Sequence, residues 1–512
     1  MGSVGARPSP FPLPEREGGW FDPSPFQGEG RERVGLMGLR GARRGSGPDS
    51  AALGALKPAR LSAIIRPRPT APSAGRRPFA LPHERAPDLS ATPFSQLEAP
   101  APSQKGLTGE ERRRIFLRNA NFSDNVDVRK NIATFGCDLS LIEFPEWQRT
   151  KHVHRLHPYL GKFIPQLVEL FLRRFFGAGD TILDPFAGSG TTLVEAAALG
   201  INSLGIELSP FNCLIIAAKT RRHDLGLLRR EVADAFRRVE DFTRSGAGDG
   251  LLPLGPKLGS FTTDSDYLRA WFAPLALQQL LFYRSIIPDY GNRDLLRVIL
   301  SRTARSLRLI PHYDLARPKA PLRVGEQYYC VKHRRMCEPI TDGLRFFRRY
   351  SRDTVSRIEE FDKLRSDAAV TILQGDARTT PLPEGVRLDG VFTSPPYVGM
   401  IDYHEQHRYA YELFPELERR DASEIGPMSL GKGKKAQRAY QADIAAVFRH
   451  IRPWLKPTAK LFVVANDTHG LYPAIGEMAG LRLVDTFHRP VPMRTERDTK
   501  TYFESIFWFE LA

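Results

Sequence analysis

The sequence of 512 residues has few cysteines and no long apolar run, and both shortages narrow the class of protein. Four cysteines (Cys137, Cys213, Cys330 and Cys337) are too few and too irregularly spaced for a disulfide framework, which favours a reducing compartment. No apolar stretch approaches the ~20 residues that span a bilayer, and the N-terminus contains no signal-peptide core. We therefore expect a soluble protein of the cytoplasm.

Metal-binding motifs are also scarce. Cys330 and Cys337 flank His333, but their spacing matches no common zinc pattern and a fourth ligand is missing beside them. The sequence therefore predicts no metal site.

The charge balance is basic, with 74 Lys and Arg against 58 Asp and Glu and a formal net charge of +16. An excess of this sign favours a polyanionic partner, of which nucleic acid is the commonest. A solvated basic surface without a specific partner is the alternative that charge alone leaves open.

The chain divides into four parts by composition and periodicity. Residues 1–105 are rich in proline, glycine and serine and lack periodicity, so we expect a disordered tail. Residues 106–219 and 369–512 alternate strands with helices and are expected to form the two parts of one α/β domain. Residues 220–368 indicate a mostly helical insertion. Its segment 297–349 has 13 Lys and Arg against four acidic residues, which makes the insertion the candidate target-recognition region.

The elements around the first part predict a doubly wound α/β sheet. A short apolar strand at 181–183 leads into a glycine-rich loop, a helix at 191–199 and a second strand at 203–206. Two final strands, 481–487 and 502–511, have no helix between them and indicate an antiparallel hairpin at a sheet edge. The remaining predicted elements are helices at 110–118, 165–176, 210–219, 439–455 and 471–479, strands at 370–373, 388–392 and 460–465, and a polar loop at 431–435.

The glycine-rich loop, Asp184-Pro185-Phe186-Ala187-Gly188-Ser189-Gly190-Thr191-Thr192, indicates a ligand site. Glycines after a strand let the backbone approach a ligand closely. The loop has no lysine, which disfavours a P-loop, and Leu193 stands where a dinucleotide fingerprint needs glycine or alanine. S-adenosylmethionine remains as the ligand that suits it.

Within this loop each residue type has a chemical reason to be there. Gly188 and Gly190 allow close approach, and Phe186 can cover the methionine part of S-adenosylmethionine. Asp184 would engage the cationic end of the ligand, directly or through water. A simple cap or turn is the plainer interpretation of an acid such as Asp184 taken alone.

Two further acids stand at the ends of the following strands. Glu207 ends the second strand and can accept hydrogen bonds from both ribose hydroxyls. Asp376 follows the strand at 370–373 and can accept one from the adenine amino group. Acids at three successive strand ends, Asp184 included, are harder to explain as caps, so we predict a cofactor site.

The stretch Ser394-Pro395-Pro396-Tyr397 follows the strand at 388–392 and can hold a planar amine. Its two prolines cannot continue a β-ladder, so a rigid turn is the plainer interpretation. However, the Ser394 hydroxyl and the Pro395 carbonyl can accept hydrogen bonds from an exocyclic amine, and Tyr397 can stack on its ring. Such chemistry needs positioning rather than a strong base.

The two motifs resemble those of the DNA amino-methyltransferases, which make N4-methylcytosine and N6-methyladenine. The resemblance covers residues 150–220 and 370–512. It implies a Rossmann-like seven-stranded methyltransferase sheet, S-adenosylmethionine as cofactor and a flipped base of double-stranded DNA as substrate. It also implies that the segment 157–165 packs around the methionine end of the cofactor. The site residues implied in addition to those above are His157, Lys162, Phe163, Ser189 and Thr191.

The resemblance leaves the acceptor open. Ser-Pro-Pro-Tyr is commoner in the cytosine-N4 enzymes and Asp/Asn-Pro-Pro-Tyr in the adenine-N6 enzymes, so cytosine is favoured. Here the motif follows the cofactor loop, whereas the N4 enzymes often place it before that loop. An adenine-N6 enzyme, a tRNA amino-methyltransferase and a non-catalytic DNA-binding protein with a degenerate methyltransferase fold remain as alternatives. No nuclease signature is present, so a solitary enzyme and one with a separate restriction endonuclease are both open.

Overall fold

The fold is seen in a computed structural model that describes residues 128–137, 139–141, 150–159, 164–245, 259–314, 318–491 and 502–512. The predictions of a disordered tail over 1–105 and of a helix at 110–118 lie outside the described residues. Every described residue belongs to one compact unit of the chain.

A seven-stranded sheet lies at the centre of the fold. Its order is β5-β2-β1-β6-β7-β9-β8, with parallel pairing from β5 to β7 and antiparallel pairing of β9 with both β7 and β8. The predicted Rossmann-like sheet and its antiparallel edge hairpin are thus confirmed. The strands are β1 Thr181–Asp184, β2 Asn202–Glu207, β3 Tyr328–Cys330, β4 Arg335–Cys337, β5 Val370–Gln374, β6 Leu388–Thr393, β7 Leu455–Ala465, β8 Leu481–Val491 and β9 Tyr502–Leu511.

Helices cover both faces of the sheet, as buried parallel strands require. They are α1 Val128–Phe135, α2 Pro165–Phe175, α3 Thr191–Ala198, α4 Pro210–Thr220, α5 Leu225–Ser245, α6 Asp266–Trp271, α7 Pro274–Ile286, α8 Arg293–Leu307, α9 Leu344–Asp362, α10 Tyr403–Gln406, α11 Arg408–Leu413, α12 Lys434–Ile451 and α13 Tyr472–Met478. A proline at the first position of α2, α4 and α7 fits the first helical turn, where the backbone has no N–H partner to lose.

Two buried apolar clusters hold these layers together. One joins the sheet to α12 and α13, and Leu183 and Val391 pack there with Phe448 and Ile475. The other joins α3 and α4 to α5, α7, α8, α9 and α11. The predicted insertion is therefore mostly helical, and its helices share a core with α3 and α4, which follow the first two strands of the sheet.

Three local predictions differ from the structure. The helix predicted at 439–455 is α12, which begins at Lys434 and ends at Ile451, so Lys434 and Lys435 form its first turn instead of a loop. The strand predicted at 460–465 begins earlier, at Leu455. Pro457 argued against a strand here, because proline cannot donate a ladder hydrogen bond. It lies in the irregular stretch between the paired residues Leu455 and Lys460, where the ladder is interrupted. The hairpin of β3 and β4 inside the insertion was not predicted.

Candidate active site

A cavity at the carboxyl ends of β1, β2, β5 and β6 is lined by side chains from both motifs. The cavity, together with the space at its mouth that opens to solvent, has a volume of about 830 Å³. From the predicted cofactor residues the lining contains Phe186, Gly188, Ser189, Thr191, Glu207 and Asp376, and from the predicted catalytic residues it contains Ser394 and Pro396.

The pairing of β1 with β6 explains why motifs 200 residues apart meet. The two strands run in parallel with Leu183 opposite Val391, so the loops that follow them leave the sheet side by side. The Thr393 hydroxyl donates a hydrogen bond of 2.6 Å to Oδ1 of Asp184. The Thr192 hydroxyl donates one of 3.2 Å to the Phe392 carbonyl.

The glycine loop has the backbone conformation that its glycines were expected to supply. Gly188 and Gly190 have φ values of +52° and +79°, in the region that side chains other than glycine rarely adopt. A Cβ at position 188 would lie 3.2 Å from the Tyr159 hydroxyl, and one at position 190 would lie 2.9 Å from Cγ1 of Ile216. Gly188 lines the cavity, whereas Gly190 begins α3 beneath it.

Glu207 lies at the end of β2 as a buried hydrogen-bond acceptor. Its Oε2 accepts from the Gly188 N–H at 2.7 Å, and its Oε1 accepts from the Ser209 N–H at 2.9 Å and the Asn212 amide at 3.1 Å. Burial raises the pKa of Glu207 to about 7, against the lowering effect of these hydrogen bonds. Each carboxylate oxygen has two lone-pair sites, and three of the four are in use, so Oε2 can accept one further hydrogen bond.

Asp376 follows β5 on the same cavity. Arg378 donates to both of its oxygens, at 2.7 Å for Nη2 to Oδ2, and also donates to Asp443. Burial alone would raise the pKa of Asp376, yet the hydrogen bonds and charge of Arg378 hold that pKa below its ordinary value. Asp376 is therefore an ionised acceptor at neutral pH.

Asp184 lies beneath the cavity instead of on its lining. It is 1% exposed, and Oδ1 accepts from the Phe186 N–H at 3.1 Å as well as from Thr393. Burial raises the pKa of Asp184 to about 6. Asp184 therefore contacts residues of the two loops. Any effect of Asp184 on the ligand would be indirect, through the positions of those residues.

The stretch 394–397, predicted to be catalytic and called the catalytic stretch below, presents Ser394 and Pro396 to the cavity, while Pro395 and Tyr397 are not among its lining residues. The Tyr397 hydroxyl donates a hydrogen bond of 3.3 Å to Oε1 of Glu504 on β9. Glu504 in turn forms a buried ion pair of 2.9 Å with Arg489 on β8. The edge hairpin therefore contacts the hydroxyl of the tyrosine.

The predicted residues before the cofactor loop have different outcomes. Lys162 and Phe163 lie outside the described residues. His157 is fully buried and does not line the cavity; its Nδ1 donates to the Pro158 carbonyl, so Nε2 accepts from Tyr409 at 3.3 Å. Burial holds the pKa of His157 well below its ordinary range, and the ring is neutral.

Several lining residues were not among the predicted site residues, and Tyr159, Tyr403, His404 and Glu424 are the polar aromatic and ionisable ones. Tyr159 stacks with Tyr403 at 6.1 Å between ring centroids. Glu424 accepts hydrogen bonds from the Tyr403 and His404 N–H groups and pairs with the His404 ring. The sequence did contain a signal for three of them: Tyr159 lies in the 157–165 segment, and Tyr403 and His404 come just after the catalytic stretch. No signal in the sequence indicated Glu424.

Part of the basic segment 297–349 is internal. Arg302 is 8% exposed and pairs with Asp353 at 2.6 Å, and Arg308 is 5% exposed with its guanidinium 4.9 Å from the centre of the Tyr409 ring. These two side chains pair within the fold, so they are not among the basic residues that could contact a polyanionic partner. The exposed basic residues of the segment are Lys319, Arg323, Arg334, Arg335, Arg345, Arg348 and Arg349.

Among the described helices, none combines the length and the apolar character that crossing a membrane requires.

Comparisons with known proteins identify a family for the chain. A family model described as DNA methylase, of the N6/N4 methyltransferase type, matches residues 91–218, which include β1 and the glycine loop. The chain is 41% identical over 439 residues to type II methyltransferase M.MjaII of Methanocaldococcus jannaschii, covering 72% of this chain and 82% of the relative.

Two shorter matches are to further type II methyltransferases. The chain is 40% identical over 119 residues to M.BsoBI of Geobacillus stearothermophilus, covering 23% of each protein. It is 27% identical over 158 residues to M.MvaI of Kocuria varians, covering 30% of this chain and 34% of the relative.

Proposed function

The chain belongs to the DNA amino-methyltransferase family and uses S-adenosylmethionine, and from this membership we propose a site-specific DNA methyltransferase that modifies the N4 amine of a flipped cytosine. The observation that carries the proposal is the single cavity lined by both motifs. A methyl donor held by the glycine loop and an amine held by the Ser-Pro-Pro-Tyr stretch would face one another there. Holding both reactants in one geometry is most of what this reaction needs.

The residues around the cavity fit the cofactor by their chemistry. Gly188 keeps open a space that a Cβ would fill, and Glu207 offers a buried carboxylate suited to a ribose diol. Asp376 offers an ionised acceptor suited to the adenine amino group. When bound, S-adenosylmethionine supplies an electrophilic methyl group on its sulfonium.

The catalytic stretch would hold the acceptor base. The Ser394 hydroxyl and the Pro395 carbonyl accept hydrogen bonds from the exocyclic amine, which directs the nitrogen lone pair out of the ring plane. Pro396 fixes the turn, and the Tyr397 ring stacks on the base. Because water can take the proton that the nitrogen loses, this arrangement needs no general base among the side chains.

Two features bear on the acceptor and its partners. Ser394 stands where the adenine-N6 form of the motif has Asp or Asn, which favours cytosine over adenine. The similarity to enzymes named as type II methyltransferases supports a partnership with a separate restriction endonuclease. A duplex DNA substrate would be met in the cytoplasm.

The proposal is tested by expression in a host whose DNA carries no methylation, followed by modification-sensitive sequencing of that DNA. We expect N4-methylcytosine at one recurring short sequence, and none with the Tyr397→Ala variant. N6-methyladenine at such a sequence would overturn the choice of base. Competition between duplex DNA and tRNA as methyl acceptors then tests the nucleic acid, and we expect DNA to be methylated preferentially.

A further inference from the structure

Four side chains with metal-binding atoms converge at the hairpin of β3 and β4, away from the cavity described above. His312, Cys330, His333 and Cys337 each contribute one ligand atom, and these four atoms all lie within 4.8 Å of one another. Cys330 ends β3, His333 lies in the turn and Cys337 ends β4, while His312 comes from the irregular segment after α8. His312 supplies the fourth ligand atom, which the sequence around Cys330 and Cys337 does not contain.

The hairpin register places the two thiols together. Tyr328 is opposite Cys337 and Cys330 is opposite Arg335, so the two cysteines share one face of the ribbon, offset by two residues. His312 is held beside them because its backbone N–H donates a hydrogen bond of 2.9 Å to the Tyr328 hydroxyl.

The distances match a tetrahedral metal centre. Nδ1 of His333 lies 3.3 Å from Nδ1 of His312, 3.6 Å from Sγ of Cys330 and 3.4 Å from Sγ of Cys337. A tetrahedron with ordinary zinc–nitrogen and zinc–sulfur bond lengths has edges of about 3.3 Å between nitrogens and about 3.6 Å between nitrogen and sulfur. The observed separations therefore leave room for one ion at the centre.

Hydrogen bonding alone does not account for this convergence. A ring nitrogen of histidine has either one proton or one lone pair, and cannot serve three partners at these distances in different directions. The turn is also strained, because Arg334, next to His333, has a φ of +52° in the region that favours glycine. A cation bound by all four atoms would satisfy the nitrogens and thiols together and hold the turn.

We propose that His312, Cys330, His333 and Cys337 form a structural zinc site. Two thiolates and two imidazoles are the ligand set that zinc prefers, and four protein ligands leave no open position for catalysis. Binding would release the two thiol protons. Each strand of the hairpin has only three residues, too few to be stable alone, so the ion would hold together the ribbon that carries Arg334 and Arg335.

The test is the metal content of the full chain, purified under reducing conditions without added metal. Inductively coupled plasma mass spectrometry is expected to find one zinc per chain. The Cys330→Ser, Cys337→Ser and His333→Ala variants are expected to lose it, whereas Cys137→Ser, at a cysteine outside the group, is expected to keep it. Because His333 is exposed, its alanine variant should fold, and circular dichroism checks each variant.

Cobalt provides a second readout that does not depend on any variant. Zinc removed by a chelator and replaced by Co²⁺ should give the thiolate charge-transfer and tetrahedral d–d absorption bands. The proposal is overturned if the reduced wild-type chain contains no zinc and gives no such bands with Co²⁺. It is also overturned if the Cys330→Ser and Cys337→Ser variants retain full zinc, or if mass spectrometry finds a Cys330–Cys337 disulfide in the freshly purified chain.

Discussion

The hydroxyl of Thr393 donates a hydrogen bond of 2.6 Å to Oδ1 of Asp184, and this contact joins the last residue of β6 to the last residue of β1. The glycine loop leaves from Asp184, and the catalytic stretch leaves from Thr393. A buried hydrogen bond to a carboxyl group thus fixes the relative position of the two motifs. In the proposed function, it connects the part of the site that would hold the methyl donor with the part that would hold the acceptor amine.

The Thr393→Val substitution tests this connection. It removes the donor but keeps the shape, so a buried carboxyl oxygen loses a partner and the free energy of unfolding should fall by about 1–3 kcal/mol. Urea unfolding measures the change. Thr371→Val on β5 is the matched control and should have little effect.

The loss should also depend on pH. Burial raises the pKa of Asp184 to about 6 in the folded state, from an ordinary value of 3.8, so folding stability falls as pH rises between these values. Without the Thr393 hydroxyl the pKa of Asp184 in the folded state rises further, so folding stability continues to fall up to a higher pH. The substitution should therefore destabilise more at pH 8 than at pH 5; an equal effect at both would contradict the connection.

Glu207 should make cofactor binding sensitive to pH. Its carboxyl has a pKa of about 7, and ribose hydroxyls donate best to the ionised form. The Kd for S-adenosylmethionine should therefore rise as pH falls below 7, approaching about tenfold per pH unit. Glu207→Gln should raise the Kd about 10–100-fold and flatten the pH profile, as measured by titration calorimetry.

Asp376 supplies the control for that profile. Because Arg378 keeps the pKa of Asp376 low, Asp376→Asn should weaken binding while the pH dependence near 7 remains. A flat profile in this variant, or an unchanged profile in Glu207→Gln, would show that Glu207 does not govern binding.

The two loop glycines should differ when replaced by alanine. At Gly190 the new Cβ would meet Ile216 at 2.9 Å with φ at +79°, so we expect a loss of about 1–3 kcal/mol in unfolding free energy. At Gly188 it would meet the Tyr159 hydroxyl beside the cavity, so cofactor affinity should fall more than stability. Thermal unfolding and calorimetry on both variants separate the two effects; identical behaviour would contradict the assignment.

Tyr397 should act through its ring. Tyr397→Phe removes the weak hydrogen bond to Glu504 but retains the stacking surface, so methyl transfer should stay within a few fold of wild type. Tyr397→Ala should abolish transfer while S-adenosylmethionine still binds. Transfer of labelled methyl to DNA is the measurement, and if the phenylalanine variant were as inactive as alanine, stacking would not be its role.

The basic turn of the β3–β4 hairpin should contact phosphates. The double variant Arg334→Ala and Arg335→Ala should bind duplex DNA more weakly, and its salt dependence should be shallower by about two units of logarithmic slope. Arg482→Ala, an exposed arginine paired with Glu510 at the sheet edge, is the control. Fluorescence anisotropy over a salt series measures both, and an unchanged slope would remove the turn from the DNA interface.

The sheet could be predicted because its strands are short apolar runs followed by residues of recognisable chemistry. Thr181–Asp184 and Leu388–Thr393 end in the two motifs, and the parallel pairing of such strands brings their ends together without further information. The cavity residues Gly188, Glu207 and Ser394 followed from that topology.

The remaining features depend on contacts between distant segments. His312 is 18 positions before Cys330, so nothing near the cysteines in sequence indicates a fourth ligand. In the sequence Arg302 and Arg308 belong to a basic segment that resembles a charged surface. In the structure Arg302 pairs with Asp353 and Arg308 packs on the Tyr409 ring. Glu424 reaches the cavity only because it binds the backbone of His404, a contact across 20 positions of chain.

The proposed function requires methyl transfer from S-adenosylmethionine to an exocyclic amine of DNA. Its most direct test incubates the purified chain with duplex DNA and S-adenosylmethionine labelled in the methyl group, then digests the DNA to nucleosides for mass spectrometry. We expect the label in N4-methylcytosine, and its absence when Ser394→Ala or Tyr397→Ala replaces the wild-type enzyme. Label in 5-methylcytosine, or no label in any nucleoside, would contradict it.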